Sequence, residues 1–409
     1  MGPLLRPQLV HPPRRRRPDP HPAGCVPPAR GVLASRLSVL HVAQSSEYGL
    51  GRYLSELLSA ERGAGWRVAM AGSAASSLRP RAAALGVSWW AWEARRGPGP
   101  SALAEAGRLR QVIARVDPDV VHLHCSKAGL VGRTMVRGRR PTLFQPHGWS
   151  FVASTGMTAE AARRWEKMAA RWAHSVVCCS RAEREEGIRA GVRARWRVVP
   201  NAVDLSRFPE PARGDRAAAR HRLDLPAGPL AVCVGRLSDQ KGQDRLLSVW
   251  PRIAAAVPGA ALVLVGDGPD RVALAQRAPA GVRFVGWQGD VRSWLTAADV
   301  VVQPSRFEGM SIAVLEALAC GRAVVATDVH GMSEAITEGS LPRAGAVVPE
   351  DDDAALADAV VARLRSSQMV EAEGQAGRRR VAADHDLRHW AAELLDATER
   401  VAGLGRPAP

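Results

Sequence analysis

Two patterns of hydrophobic positions alternate along this chain. Short, largely β-branched apolar runs at residues 38–43, 67–71, 120–124, 142–145 and 175–179 have the length and continuity of strands buried on both faces. Between most of them, apolar residues recur every three or four positions, at 52–62, 101–115 and 158–173, as they do on one face of a helix. Residues 204–229, rich in Pro, Arg and Ala, read as a loop. The alternation then restarts, with strand-like runs at 230–234, 261–265, 282–285, 300–303 and 323–327. Strands alternating with helices predict an α/β fold with parallel, doubly wound sheets.

Two such sets predict two Rossmann-like domains facing a cleft, at 36–205 and 206–385, with a helical segment at 386–409. The length of 409 residues suits that division. Residues 1–35 hold nine prolines and six arginines and cannot build a core, which predicts disorder there. The longest apolar candidate, 253–265, is broken by Pro258 and Gly259 and falls short of the roughly 18 residues of a membrane span. No apolar stretch follows the arginines at 14–17, so no secretory leader is expected and the reading is cytoplasmic.

The net charge of +16 changes the picture less than its size suggests. Lysine supplies only Lys127, Lys167 and Lys241, and arginine in such excess beside abundant alanine is the compositional bias of a GC-rich genome, so no nucleic-acid partner is expected. The six cysteines show no C-x-x-C spacing and read as reduced thiols.

Ligands of open α/β sheets sit at the carboxyl ends of the strands, so the candidate chemistry lies just after each apolar run. Gly235-Arg236-Leu237-Ser238-Asp239-Gln240-Lys241-Gly242 follows the first strand of the second set and places two cations five residues apart before a helix, a cradle for a diphosphate. A later loop carries Glu308 and Gly309-Met310-Ser311, and the helix after it carries Glu316, the only charge between Gly309 and Gly321. A carboxylate in such apolar company needs a partner, and ribose hydroxyls are suitable donors. Asp351-Asp352-Asp353 reads as a helix start and Asp117-Pro118-Asp119 as a turn at the wrong end of a strand, so no metal site is expected.

These residues resemble the retaining glycosyltransferases of family 4, the glycosyl transferases group 1 type with the GT-B fold. Glu308 and Glu316 match that family's E-x7-E motif, Arg236 and Lys241 its Gly-Arg loop with trailing Lys, and Gly266-Asp267-Gly268-Pro269 its strand-to-turn signature. Gly49-Leu50-Gly51 resembles its N-terminal glycine loop, and His147 the histidine placed beside the donor sugar. Two positions depart from the pattern: Ala202 stands for a Gly, and Glu47-Tyr48 precedes Gly49 in place of a Gly-Gly start.

The resemblance implies a catalytic set of His147, Arg236, Lys241 and Glu308. It implies donor contacts from Gly49, Gly51, Arg236, Lys241, Gly309, Met310, Ser311 and Glu316, and no metal or other cofactor. It further implies an acceptor-binding first domain, a second domain binding a UDP- or GDP-sugar, a last helix returning to the first domain, and transfer with retention to a hydroxyl acceptor. A GT-B epimerase or a non-catalytic sugar-nucleotide binder is the alternative that shares the phosphate loop.

Ser126-Lys127-Ala128-Gly129-Leu130 resembles bacterial exopolysaccharide and capsule enzymes, whose acceptors are lipid-linked sugars. On helix 158–173, Trp165, Met168 and Trp172 form a stripe beside Arg164, Lys167 and Arg171, a pattern suited to peripheral contact with an anionic membrane at the inner face of the plasma membrane.

Overall fold

The computed structural model describes residues 2 and 37–404, apart from 96, 98, 211 and 213; apart from Gly2, the Pro/Arg-rich segment 1–35 lies outside them. The chain runs β1 (Ser38–Ala43), α1 (Tyr48–Gly63), β2 (Arg67–Gly72), α2 (Arg79–Ala84), β3 (Ser88–Ala91), α3 (Ser101–Val116), β4 (Val120–His124), α4 (Cys125–Val136), β5 (Thr142–Gln145), α5 (Gly156–Ala169), β6 (Ser175–Cys178), α6 (Arg181–Arg189) and β7 (Trp196–Val198). It continues with α7 (Asp215–Arg222), β8 (Leu230–Val234), α8 (Gln243–Ala256), β9 (Ala261–Val265), α9 (Arg271–Gln276), β10 (Val282–Phe284), α10 (Arg292–Ala297), β11 (Val300–Gln303), α11 (Ile312–Ala319), β12 (Ala323–Thr327), α12 (Met332–Ile336), β13 (Gly345–Val348), α13 (Asp353–Leu364), α14 (Ser367–Asp384) and α15 (Leu387–Leu404).

The strands form two separate parallel sheets, one seven-stranded in the order β3-β2-β1-β4-β5-β6-β7 and one six-stranded in the order β10-β9-β8-β11-β12-β13. Both faces of each sheet are covered, which is why their central strands are continuous apolar runs such as Leu230–Val234. In each sheet the winding reverses beside the first strand of its set, between β1 and β4 and between β8 and β11. Those two switch points are where such sheets leave a crevice for ligands.

The segment 204–229 is not all loop. It carries α7, whose Ala219 enters the core and whose Arg220 pairs with Asp299 at 2.7 Å. Helix α15 crosses back to the first sheet, where Trp390, Leu394 and Val401 join the cluster built from α1, β1 and β2, and the Trp390 ring lies 5.0 Å from that of Tyr53. The two connections between the sheets run side by side, with the Val203 amide donating to the His385 carbonyl at 3.1 Å.

Candidate active site

Beyond β8 the chain turns through Gly235 and Arg236 into a short 3-10 turn, Asp239–Lys241, while beyond β11, its neighbour in the sheet, lie Ser305 and Glu308. The sheet therefore brings Lys241 and Glu308, 67 residues apart, into an ion pair. The Ser305 hydroxyl donates to the same carboxylate at 2.9 Å and receives from the Gln303 amide at 2.9 Å, so Glu308 is held on two sides. Arg236 is different: among the described residues it has no ion-pair partner, and its Nε is buried without a hydrogen bond. Its guanidinium lies 5.8 Å from the Tyr48 ring, across the cleft. The backbone behind it is tied to the Gly266-Asp267-Gly268 turn, with the Leu237 amide donating to the Asp267 carbonyl at 3.0 Å. An anion between the sheets would meet one unpartnered cation and one shared cation there.

Glu316, in the second turn of α11, is buried, and its partner is Arg52 of α1 at 2.9 Å. Burial raises its carboxyl above the ordinary value, and the charge of Arg52 pulls it back. The loop leading to α11 runs directly against the first sheet. A Cβ on Gly309 would stand 2.6 Å from Cys179 Sγ and 3.2 Å from the Gly148 amide, so only glycine allows this approach. The Met310 carbonyl accepts from Asn201 Nδ2 at 2.8 Å, and the Ser311 hydroxyl is buried with no hydrogen-bond partner among the described residues.

On the opposite edge, Tyr48, Cys125 and His147 follow β1, β4 and β5, and all three hold left-handed backbone at φ 53°, 64° and 53°. Such strain gathers where a site over-determines the chain. A Cβ on Gly49 would stand 4.0 Å from Ile312 Cδ1 of α11, and a side chain on Gly51 would collide with the Ser46 carbonyl. Glu183 buttresses the His147 loop from below, accepting from the Gly148 amide at 2.5 Å and the Cys179 amide at 2.7 Å.

Beneath His147 lies a buried row of imidazoles. His147 Nε2 meets His124 Nδ1 at 3.2 Å, His124 Nε2 meets His41 Nδ1 at 3.0 Å, and His41 Nε2 meets Glu61 at 2.6 Å. Nitrogens of His41, His122 and His124 fall within 4.8 Å of one another, a spacing a metal could bridge, but those of His41 and His124 that face each other are hydrogen bonded together. Burial holds His122 and His124 well below the ordinary imidazole value and His147 at about 3.

Because each of these three values is depressed in the folded chain, the unfolded chain takes up the proton first. The stability is whole above an unfolded value near 6.5 and is lost as pH falls toward the folded ones. The unfolding free energy from urea titrations should therefore fall below pH 6.5 with a slope of about 1.4 kcal/mol per pH unit for each histidine. The slope in His122→Phe should be shallower by one proton, and an unchanged slope counts against the assignment.

Of the sequence-predicted site residues, Arg236, Lys241, Glu308, Gly309, Met310, Ser311 and Glu316 follow β8 and β11 of the second sheet and Gly49, Gly51 and His147 follow β1 and β5 of the first, and the contacts of Arg236 with Tyr48, Glu316 with Arg52 and Met310 with Asn201 join the two groups. Tyr48, Arg52, Glu183 and the imidazole row were missed. A visible signal for the last was His122 and His124 at alternate positions of an otherwise apolar strand.

The stripe on α5 is more enclosed than its periodicity implies. Trp165 and Trp172 are half-buried, with ring centroids 6.0 Å apart, and the latter lies in a 3-10 turn beyond the helix end. The apolar groups left exposed nearby are Val152, Met157 and Met168. Among the described residues no helix is long and apolar enough to cross a membrane.

This pair of facing sheets is the GT-B fold of the glycosyltransferases. Residues 48–202 match the family model of the glycosyl transferase 4-like domain, and residues 228–366 that of glycosyl transferases group 1. HepE of Anabaena, solved in complex with UDP and glucose, superposes with a TM-score of 0.75 over 89% of this chain and 99% of its own, at 20% identity. The GDP-mannose-dependent monoacylated alpha-(1-6)-phosphatidylinositol monomannoside mannosyltransferase of Corynebacterium glutamicum is 32% identical over 225 residues, 52% of this chain and 56% of that protein. The lipopolysaccharide core biosynthesis mannosyltransferase LpsB of Rhizobium meliloti is 37% identical over 177 residues, 40% and 49% of the two chains. The chain spans about half the length of these curated relatives.

Proposed function

We propose that this protein is a retaining glycosyltransferase that moves a sugar from a UDP- or GDP-sugar to a hydroxyl of a lipid-linked or polysaccharide precursor. The observation that carries the reading is Arg236, a cation without an anionic partner among the described residues, which shares with Lys241 the loop at the switch point of the second sheet. As the bond from the anomeric carbon to the diphosphate breaks, negative charge grows on the phosphate oxygens, and preorganised cations are the largest expected contribution to lowering that barrier. The acceptor oxygen bonds to the anomeric carbon on the face the diphosphate leaves, and its proton passes to a phosphate oxygen. His147 and Glu308 contact the donor sugar. The two cations take the role a metal would otherwise play.

The test is product analysis with UDP-glucose and GDP-mannose as donors and sugar-lipid acceptors, with and without chelator. Acceptor-dependent, chelator-resistant transfer with retained anomeric configuration is expected; inversion, or activity that only a divalent metal restores, contradicts the reading. Epimerisation of either donor's sugar without transfer would instead mark an epimerase.

Glu316 reads the ribose diol in this scheme, which releases Arg52 from its carboxylate. Calorimetry should show Glu316→Ala weakening UDP or GDP binding roughly tenfold, the effect of about 1.4 kcal/mol, as for a hydrogen bond to a charged group. Glu308→Ala should affect mainly the intact sugar nucleotide. The reverse pattern would overturn the division.

An acceptor in a lipid leaflet requires the enzyme to reach it. Arg164, Lys167 and Arg171, exposed near Met157 and Met168, are the proposed contact with an anionic membrane at its cytoplasmic face. Cosedimentation with phosphatidylglycerol vesicles should be salt-sensitive and lost on charge reversal at these three positions; binding that survives the reversal contradicts the assignment.

A further inference from the structure

The row from Glu61 to His147 has a direction. A carboxylate offers acceptors only, so His41 meets Glu61 by donating its Nε2–H, and a neutral ring that donates from one nitrogen accepts at the other. With that ring neutral, His41 Nδ1 accepts from His124 Nε2–H, 3.0 Å away, and His124 Nδ1 in turn accepts from His147 Nε2–H, 3.2 Å away. The sheet builds this row. His41 on β1 stands opposite His122 of β4, with His124 two residues further along β4, while His147 follows the next strand, β5. The members beneath His147 are sealed: Glu61, His41 and His124 are each 0% exposed. The flanking rings pin the geometry, with His122 stacked on His124 at 4.1 Å and Tyr53 set edge-on to His147 at 4.8 Å.

We infer that Glu61, His41 and His124 are positioning residues that lock His147 into a single tautomer, with its proton on Nε2 and a lone pair on Nδ1. Nδ1 is the nitrogen of His147 with no hydrogen bond among the described residues. Taken with the placement of His147 beside the donor sugar proposed above, His147 therefore accepts a hydrogen bond from a sugar hydroxyl and donates none. A donor whose hydroxyl at that place is replaced by an acceptor-only group meets two lone pairs facing each other. Three residues without access to the cleft thus act on which sugar the cleft admits.

Long-range proton–nitrogen NMR correlation on protein labelled with 15N-histidine, with His147 assigned by loss of its signals in His147→Asn, reads the tautomer directly in the ligand-free protein. The wild type should show His147 protonated at Nε2 and bare at Nδ1. Glu61→Gln removes the acceptor-only end and should convert this into a mixture. Protonation at Nδ1 in the wild type, which is also what an imidazolium at His41 would produce by running the row backwards, overturns the inference, as does an unchanged tautomer in Glu61→Gln. Should Glu61→Gln fail to fold, His124→Phe keeps a ring in the stack and breaks both bonds, and the same mixture is expected. UDP-glucose or GDP-mannose should then shift the Nδ1 signal while UDP and GDP leave it in place. A correct tautomer that no sugar nucleotide perturbs would retire the donor-sugar role of His147 and leave the lock standing.

Discussion

Lys241→Ala is expected to slow sugar transfer by about 10²–10³-fold, the loss that follows removal of one preorganised charge-stabilising group. Arg236→Ala should cost a similar factor, yet the two variants should differ in stability. Lys241 is the ionic partner of Glu308, and without it a buried carboxylate keeps only the Ser305 hydroxyl, at a cost of about 1–3 kcal/mol. Arg236 leaves no carboxylate behind. Steady-state rates beside thermal melts distinguish the pair: Arg236→Ala slow but as stable as wild type, Lys241→Ala slow and less stable. Adding Glu308→Gln to Lys241→Ala should return stability without activity. Near wild-type turnover in either single variant would remove these residues from the diphosphate site.

The second large effect lies outside the cleft. Arg133 of α4 is fully buried, donating to Glu166 Oε1 of α5 at 2.9 Å and to the Gly129 carbonyl at 2.9 Å, in ion-pair contact with Glu166 Oε2 at 2.8 Å, and with its guanidinium 3.8 Å from the Phe144 ring centroid. Burial lowers the Arg133 value and raises that of Glu166, so each charge depends on the other. Arg133→Met should destabilise the protein by about 3–5 kcal/mol, because it strands a buried carboxylate. Arg133→Met with Glu166→Leu should recover most or all of that loss. Urea unfolding of the three proteins is the measurement, and a double variant no more stable than the single one would show that the pair is not the source of the loss.

What the sequence revealed and what it withheld divide along physical lines. Central strands were legible because burial on both faces demands unbroken apolar runs, as at Leu230–Val234 and Ala323–Thr327. The strands that escaped notice, Ser88–Ala91, Trp196–Val198 and Gly345–Val348, lie at sheet edges, and none is buried along its whole length. Helix α7 was hidden because its sequence, DRAAARHR, is strongly polar and its apolar positions are all alanine. Within the cleft, Arg236, Lys241, Glu308 and Glu316 could be read because their chemistry is local to loops after strands. Their partners could not. The pairing of Arg52 with Glu316 joins residues 264 positions apart, and the step from His41 to His124 spans 83. Only the register of β1 against β4 and the approach of the two sheets create them.

Helix α15 is the last described element to leave the ribosome, yet it closes the sheet that is made first. Until residue 387 and those beyond it emerge, the apolar cluster of α1 and β1 lacks Trp390, Leu394 and Val401, while the second sheet already has every strand and helix it uses. The order of completion is therefore the reverse of the order of synthesis. A chain stalled shortly before α15 presents an uncovered hydrophobic face at its oldest end, the kind of surface that recruits chaperones and seeds aggregation.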